Sequence, residues 1–265
     1  MAKAFYYDSV GLLESTTTDG SGSDVDGDSK FEFSASSTLT NEQFTIDQNI
    51  TNAVTGWAQN EGLSFNLGSS KAVDFLALIF NADESDNLVF EHDTASTGES
   101  SARVLTVTDN FTANTWMIKE FTEVSRQYWR IFATTSGGLA GLSEVIFGKK
   151  LEFEINPDLG ISESEKFGTD LTESLGGVQF ALKRHEPIKT IALTFSSISN
   201  TFKTSLQSMQ DETQNFKKFI YSEDGTTGPF HYVRLGKPID FKEVSVNRFS
   251  CSISLVEQLS WFYFS

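Results

Sequence analysis

The sequence predicts a mainly β protein with a single α-helix, and three observations support that prediction. Phe is unusually common, with 24 among 265 residues, whereas Pro occurs only 4 times. Large, rigid aromatic side chains suit the packing of one sheet on another. Most apolar segments alternate with polar residues, which is the pattern of half-buried strands, and only the segment after Ser199 changes to a helical period.

The helix is predicted over about residues 200–216. Four apolar residues at helical spacing form its buried face: Phe202, Leu206, Met209 and Phe216. Ser199 or Asn200 can accept a hydrogen bond from the first free amides and act as the N-cap. The opposite face is polar, so we expect the helix to lie with its apolar side on a sheet.

Short strands separated by polar turns are predicted in the first half of the chain. They cover residues 5–7, 63–67, 73–80, 103–108, 114–121, 128–134 and 142–147. The segment Val73–Phe80 is almost continuously apolar, which indicates a central strand that is covered on both faces. We therefore expect a β-sandwich around it.

The second half is predicted to contain a hairpin before the helix and three strands after it. Residues 178–182 and 188–195 alternate, and Lys183–Pro187 is expected to be the loop that joins them. After the helix, strands are predicted at residues 217–221, 230–235 and 244–255. Residues 158–174 are polar and rich in Gly, Ser and Glu, so they suit a linker or a long loop. The predicted domains are residues 1–152 and 153–265.

Charge and composition exclude several functional classes. The formal net charge of −16 argues against ordinary binding to nucleic acid or to an anionic membrane. No run of 18 apolar residues is present, and the N-terminus has no signal-peptide core, so we expect no membrane insertion and no secretion. The single cysteine, Cys251, alternates with Phe249 and Ile253 and is expected to be a buried thiol.

No residue pattern indicates catalysis. His92, His185 and His231 lie in separate segments, and no metal-binding or nucleophile motif is present. Acidic residues are too numerous for a glycosidase pair to be singled out. We therefore predict no catalytic residue, no cofactor and no metal ligand, and a protein that is not an enzyme.

The segment Asp19–Lys30 is acidic and rich in turn residues, and it is expected to be a loop. Asp24, Asp26 and Asp28 alternate, as calcium ligands do. The glycine and the final acid of an EF-hand loop are missing from the required positions, so a solvated acidic loop is favoured and calcium binding stays an open alternative.

The segment FTIDQNITNAVTGWAQNEGLSFNLGSSKAVDFLALIF, Phe44–Phe80, resembles the opening of the discoidin-type jelly rolls, the factor 5/8 C-domain or galactose-binding-like group. Trp57, Leu67-Gly68 and the buried strand Val73–Phe80 follow the order of that group. YWRIFATTSGGLAGLSEVIFGKK, Tyr128–Lys150, resembles its closing segment. The resemblance implies an N-terminal jelly roll of about 150 residues. Variable loops carry the ligands in that group, and no binding residue is matched here, so sugar binding and protein binding by the loops both stay open.

The order of elements after Leu151 is similar to that of tail-tube and distal-tail proteins of tailed bacteriophages, and so is the segment KFIYSEDGTTGPFHYVRLGKPIDFKEVSVNRFSCSISLVEQ. This resemblance implies a β-sandwich or barrel flanked by one helix. Six copies would close into a hexameric ring around a channel, through which genome DNA passes without specific binding. An acidic wall suits such a channel.

Three hypotheses follow. The first is a structural virion protein of a phage tail, assembled in the host cytoplasm, which forms a ring with its own copies and attaches other tail proteins. The second is a carbohydrate-binding module that contacts host surface glycans. The third, an enzyme with an unrecognised β-sandwich site, is the least favoured. Candidate interface residues are Lys183, Arg184 and His185 in the predicted hairpin loop and the terminal aromatic run Trp261, Phe262, Tyr263 and Phe264. The terminal run would dock on a neighbouring copy or complete the chain's own core.

Overall fold

A computed structural model of the chain describes residues 3–10, 16–23, 32–35, 45–46, 52–55, 61–85, 87–94, 102–107, 110–133, 141–158, 161–173 and 179–257. The chain forms two compact units. Tyr6–Lys150 is called the inserted unit, because Met1–Phe5 joins Leu151–Ser265 in the other, which is called the terminal unit. The sequence placed the first five residues with the first domain.

The fold is mainly β, with one α-helix in the described part of the chain. The first ten strands are β1 (Ala4–Tyr7), β2 (Thr16–Ser23), β3 (Glu32–Ala35), β4 (Glu61–Phe80), β5 (Glu84–Ser85), β6 (Leu88–Asp93), β7 (Ala102–Val107), β8 (Asn110–Phe111), β9 (Met117–Ala133) and β10 (Leu142–Glu152). The remaining elements are β11 (Ser162–Glu173), β12 (Gln179–Ser199), α1 (Asn200–Thr213), β13 (Phe219–Ser222), β14 (Phe230–Leu235), β15 (Asp240–Ser245) and β16 (Arg248–Glu257).

The inserted unit is organised around β4. This strand pairs with β9 along most of its length, with β2 through its first half and with β10 through its second half, and all of these pairings are antiparallel. β6 pairs with the end of β9, and β7 pairs with β6. Aromatic rings fill the core: Phe90 stacks on Trp129 at 5.0 Å between centroids, and Phe65 meets Phe147 edge-on at 5.3 Å. Contacts of this kind add to the free energy of apolar burial.

The strands of this unit are longer than the sequence predicted. The predicted strands 63–67 and 73–80 are both parts of β4, whose register shifts between Asn66 and Lys71, near Gly68 with φ of 72°. The predicted strands 114–121 and 128–134 are likewise joined in β9. The prediction of a loop over Asp19–Lys30 is wrong for its first residues, because they lie in β2. The rest of that segment lies outside the described residues.

The terminal unit holds a sheet in the order β11-β12-β16-β14-β13, and β15 pairs with β16. Among the described residues, its core contains seven buried aromatic residues: Phe5, Phe153, Phe195, Phe202, Phe219, Tyr221 and Tyr232. The ring of Phe153 is central to them, at 4.8 Å from Phe5 and 5.5 Å from Phe195. Cys251 lies buried on β16, as predicted, and burial raises the pKa of its thiol to about 11.

The helix α1 packs on β12, β14 and β16. Its N-cap is Ser199, whose Oγ accepts a hydrogen bond from the amide of Phe202 at 3.0 Å, as predicted. Phe202, Leu206 and Met209 are buried, also as predicted. The helix ends at Thr213, and the backbone reverses at Gln214, so the prediction that Phe216 shares the buried face is wrong; its side chain is 58% exposed.

Three loop and strand predictions for the terminal unit are wrong. Lys183–Pro187 is not a loop, because it lies inside the continuous strand β12. Besides β16, β12 pairs with β11. The strand β11 covers most of the segment that was predicted as a linker or a long loop. The long final strand 244–255 is two strands, β15 and β16, with a turn at Asn247, whose φ of 57° is a conformation that Asn tolerates.

Candidate functional site

Two paired strands form an exposed arm in the terminal unit. We define this arm as β11, Ser162–Glu173, together with the first part of β12, Gln179–Ile188. Three large apolar side chains on it face solvent. Phe167 is 69% exposed, Phe180 60% and Leu182 58%. Isolated apolar side chains are common on surfaces, but three on one short hairpin mark a surface suited to contact with another protein.

The strand β11 is one edge of the terminal unit's sheet, since it pairs only with β12 among the described strands. An edge strand presents unpaired backbone donors and acceptors, which another strand can satisfy. Four exposed acidic residues line this edge: Glu163, Glu165, Asp170 and Glu173. One basic residue of β11, Lys166, lies among them, and Lys189 of β12 forms an ion pair with Glu163 at 3.0 Å. The edge can therefore pair with another strand, and it is rich in negative charge.

The strand β15 is a second edge, since it pairs only with β16 in the described part of the chain. Apolar side chains are exposed on it and in the turn after it, with Val244 49% and Val246 82% exposed. Within β15, the two acidic residues Asp240 and Glu243 outnumber the one basic residue, Lys242. Two exposed basic residues, Lys237 and Arg248, flank the strand. The terminal unit thus has two edges with exposed apolar side chains, of which β11 is the more acidic.

The structure describes only one of the two sets of predicted interface residues. Lys183 and His185 lie in β12 opposite Thr169 and Gly168 of β11, where the register shifts, and Arg184 lies between them. They belong to the arm but not to a hairpin tip, so their predicted position is corrected. The terminal run Trp261, Phe262, Tyr263 and Phe264 lies outside the described residues. Their roles at an interface stay predictions.

The inserted unit contains a buried ion cluster that the sequence did not indicate. The guanidinium of Arg130 lies 3.4 Å from Glu91 and 3.1 Å from Asp93, and none of these side chains is more than 3% exposed. The registers of β6 and β9 bring these residues together from positions far apart in the chain. Because removal of one partner would leave an unpaired buried charge, the cluster constrains the fold.

His92 lies beside that cluster but packs on the other face of the sheet. Its ring meets Trp129 edge-on at 5.5 Å. Burial, followed by the positive charge of Arg126, lowers the pKa of His92. His92 is therefore a buried imidazole that packs within the inserted unit.

His231 in the terminal unit bridges two carboxylates. Its Nδ1 lies 3.2 Å from Glu257 and its Nε2 lies 3.2 Å from Glu223, while its ring stacks on Tyr221. The hydrogen bond to Glu257 raises the pKa of His231, although burial acts in the opposite direction. The sequence carries no local signal for this bridge, because the two glutamates come from β16 and from the residue after β13.

Among the residues that the structure describes, no group of three or more His, Cys, Asp or Glu side chains is arranged to hold a metal ion. The predicted acidic triplet Asp24, Asp26 and Asp28 lies outside those residues, as does Trp57. Over the same described ranges, no helix is long and apolar enough to cross a lipid bilayer.

The chain matches no family model, and no curated protein matches its sequence. Solved structures similar to it include chitosan-binding module 1 of a chitosanase/glucanase from Paenibacillus sp. IK-5, with 19% identity over 54% of this chain and 98% of the module, at a TM-score of 0.39. The CBM32 of AlyQ has 20% identity over 40% of this chain and 83% of its own, at a TM-score of 0.35. A CBM32 from Clostridium perfringens, solved with GalNAc-β-1,3-galactose, has 10% identity over 51% and 95%, at a TM-score of 0.38. These similar structures are carbohydrate-binding modules with a jelly-roll fold.

Proposed function

We propose that this chain is a structural protein of a phage tail, at the distal end, the tip or an adaptor, whose terminal unit associates with copies of itself into a ring. The single observation that carries the proposal is the pair of sheet edges with exposed apolar side chains, β11 and β15, of which β11 is the more acidic. The order of elements, with one helix packed on an antiparallel sheet, agrees with the resemblance to tail proteins. None of the three similar structures named above is a tail protein, so this proposal depends on the edges and the element order.

Charge favours a head-to-tail contact over a two-fold one. If two copies of β11 paired with each other, acidic side chains would face acidic side chains, which is destabilising. If β11 of one copy approaches β15 of the next, its acidic residues face a less acidic strand that is flanked by Lys237 and Arg248, and exposed apolar side chains meet on both sides. A head-to-tail contact produces a closed ring when its rotation closes, and the expected ring is a hexamer.

The overall charge agrees with this role. With a net charge of −16, a ring of these chains would repel the DNA backbone and would let the genome pass without binding it. The other proposed partners are neighbouring tail proteins. The place of function is the virion, after assembly in the host cytoplasm.

Light scattering and negative-stain imaging of the purified chain over a wide concentration range test this proposal. We expect rings with one fixed number of subunits. The double variant Phe180→Glu, Leu182→Glu should stay monomeric, because two charges replace two exposed apolar groups on the arm. Gln207→Glu, on the exposed face of α1, is the matched control and should still form rings. A wild-type chain that remains monomeric at high concentration would refute the proposal.

A second candidate function is glycan binding by the inserted unit. The resemblance of Phe44–Phe80 to the discoidin group supports it, and the similar structures are named as carbohydrate-binding modules. The inserted unit would then contact host surface glycans. A glycan array probed with the intact chain tests this candidate, and it is compatible with ring formation by the terminal unit.

A further inference from the structure

The terminal unit has a cleft of about 670 Å³ where α1 ends. Its volume falls within the range of small-ligand sites. Six residues line it: Gln210, Asp211, Gln214, Asn215, Phe216 and Pro238. The cleft is separate from the exposed apolar side chains of the arm. Neither predicted function uses it.

The lining has an unusual chemical composition. It combines three side-chain amides, one carboxylate, one exposed aromatic ring and one proline, and it contains no cationic side chain. Amides supply donors and acceptors together, and a carboxylate accepts several hydrogen bonds, so neighbouring hydroxyl groups can be bound in pairs. A phosphate or a carboxylate ligand would meet Asp211 without a compensating positive charge. The lining therefore suits an uncharged ligand that is rich in hydroxyl groups.

The ring of Phe216 supplies the apolar part of such a site. It follows the reversal at Gln214, which removes it from the buried face of α1 and leaves it 58% exposed beside the amides. An exposed aromatic face can stack against the apolar C–H face of a sugar ring. The amides and the carboxylate would then bind hydroxyl groups at the edge of that ring.

Two residues that line this cleft lower the stability of the fold, one through its backbone conformation and one through its charge at the helix end. Gln214 has φ of 49° and ψ of −138°, a conformation that favours glycine. Asp211 lies in the last turn of α1, where the helix macrodipole disfavours negative charge. Glycine at position 214 and an uncharged residue at position 211 would suit the fold better. Both side chains that lower stability face the same cleft, which indicates that they serve binding.

Part of the wall is already held in place. Gln210 Oε1 accepts a hydrogen bond from the amide of Ile239 at 2.5 Å, which orients the side chain and leaves its NH₂ group as a donor. Arg234 Nη1 donates to the carbonyl oxygen of Asn215 at 3.4 Å and supports the loop from behind. A wall that is ordered before binding loses less conformational entropy when a ligand enters.

We propose that this cleft is a binding site for a neutral saccharide, with Phe216 beneath a sugar ring and Gln210, Asp211, Gln214 and Asn215 on its hydroxyl groups. This site lies in the terminal unit, whereas the second candidate function assigns glycan binding to the inserted unit. The proposal does not depend on ring formation.

Titration of the intact chain with neutral trisaccharides tests the site. The probes are cellotriose, maltotriose, mannotriose and N-acetylchitotriose, with trigalacturonate as the anionic comparison, and binding is followed by ligand-observed NMR and calorimetry. We expect at least one neutral probe to bind with a Kd of about 1 mM or tighter and trigalacturonate to bind more weakly. If none of the four neutral probes binds with a Kd of about 1 mM or tighter, the proposal is overturned.

Two variants separate the site from the fold. Phe216→Ala should weaken binding about tenfold or more with little change in thermal midpoint, because the ring is exposed. Gln214→Gly should also weaken binding, yet it should keep or raise the thermal midpoint, because glycine relieves the backbone strain. A gain in stability together with a loss of binding is a result that a merely structural role would not produce.

The control variant is Phe180→Ala, which removes an equally exposed ring from the arm. It should leave saccharide binding unchanged even where it weakens self-association. If a neutral trisaccharide binds equally well to Phe216→Ala and Gln214→Gly, its site lies elsewhere in the chain and the assignment to this cleft is wrong. Loss of rings without loss of binding would refute only the proposed tail function.

Discussion

The inserted unit buries one cluster of charged groups and pairs them internally, whereas the terminal unit leaves apolar groups on its surface. In the inserted unit, Arg130 is closed in with Glu91 and Asp93, and the aromatic core surrounds Trp129. In the terminal unit, the arm carries Phe167, Phe180 and Leu182 in solvent although the unit has its own well-filled aromatic core. A lack of core space therefore does not explain the exposed groups, whereas the proposed contact with another copy would explain them.

The largest expected effect tests the buried cluster. Arg130→Met should lower the free energy of unfolding of the inserted unit by about 3–5 kcal/mol, because Glu91 and Asp93 would be buried without a positive partner. Arg126→Met, on the same strand and only half-buried, is the matched control and should cost far less. Urea unfolding followed by tryptophan fluorescence measures both. Equal effects of the two changes would mean that Arg130 is not a buried partner of these acids.

The next prediction contrasts two phenylalanines of the terminal unit. Phe195→Ala should destabilise the monomer by about 3–5 kcal/mol, because Phe195 is fully buried and the change leaves a cavity. Phe180→Ala should change monomer stability by no more than about 0.5 kcal/mol. Chemical denaturation at low protein concentration separates the two values. A large cost for Phe180→Ala in the monomer would show that the arm packs within its own chain.

Charge reversal sharpens the comparison of the two edges. Glu165→Lys should weaken self-association about tenfold, and Lys242→Glu should do the same, because each places like charges across the proposed contact. The double variant should recover association. Analytical ultracentrifugation at low salt measures all three chains. If the double variant associates no more strongly than either single variant, β11 and β15 do not face each other.

The smallest expected effect concerns His231. Because the pKa of His231 is raised above its ordinary value of 6.5, its two glutamate contacts add stability that is fully present below about that pH. This contribution declines as pH rises through the raised folded-state pKa. His231→Asn should therefore reduce the free energy of unfolding more at pH 5 than at pH 9. A difference that is independent of pH would contradict the ionic role of His231.

Local pattern was sufficient for some elements of the fold. The helix, its Ser199 cap, the strand Phe230–Leu235 and the buried thiol of Cys251 follow from spacing and alternation, since each depends on nearby residues. β11 escaped prediction because both of its faces are exposed, so it has no apolar period. The break at Gln214 also escaped, because a glutamine in a glycine-like conformation gives no sequence signal.

Of the candidate sites, the sequence indicated only part of the arm. Lys183, Arg184 and His185 were predicted as interface residues, and they lie in β12, but the neighbouring acidic edge of β11 was taken for a linker. The cleft was missed altogether, because Phe216 was assigned to the buried face of the helix. The ion cluster was missed because its three side chains meet only through the pairing of β6 with β9.

By itself the sequence determined the mainly β class, the helix α1, the strong negative charge and the tendency of its aromatic residues to form cores, since these properties depend on composition and on short-range periodicity. Only the tertiary structure decided which strands became edges, which charges met and which aromatic rings stayed in solvent. Those outcomes depend on strand register and on the point where the helix ends, and both are set by contacts between residues that are distant in the chain.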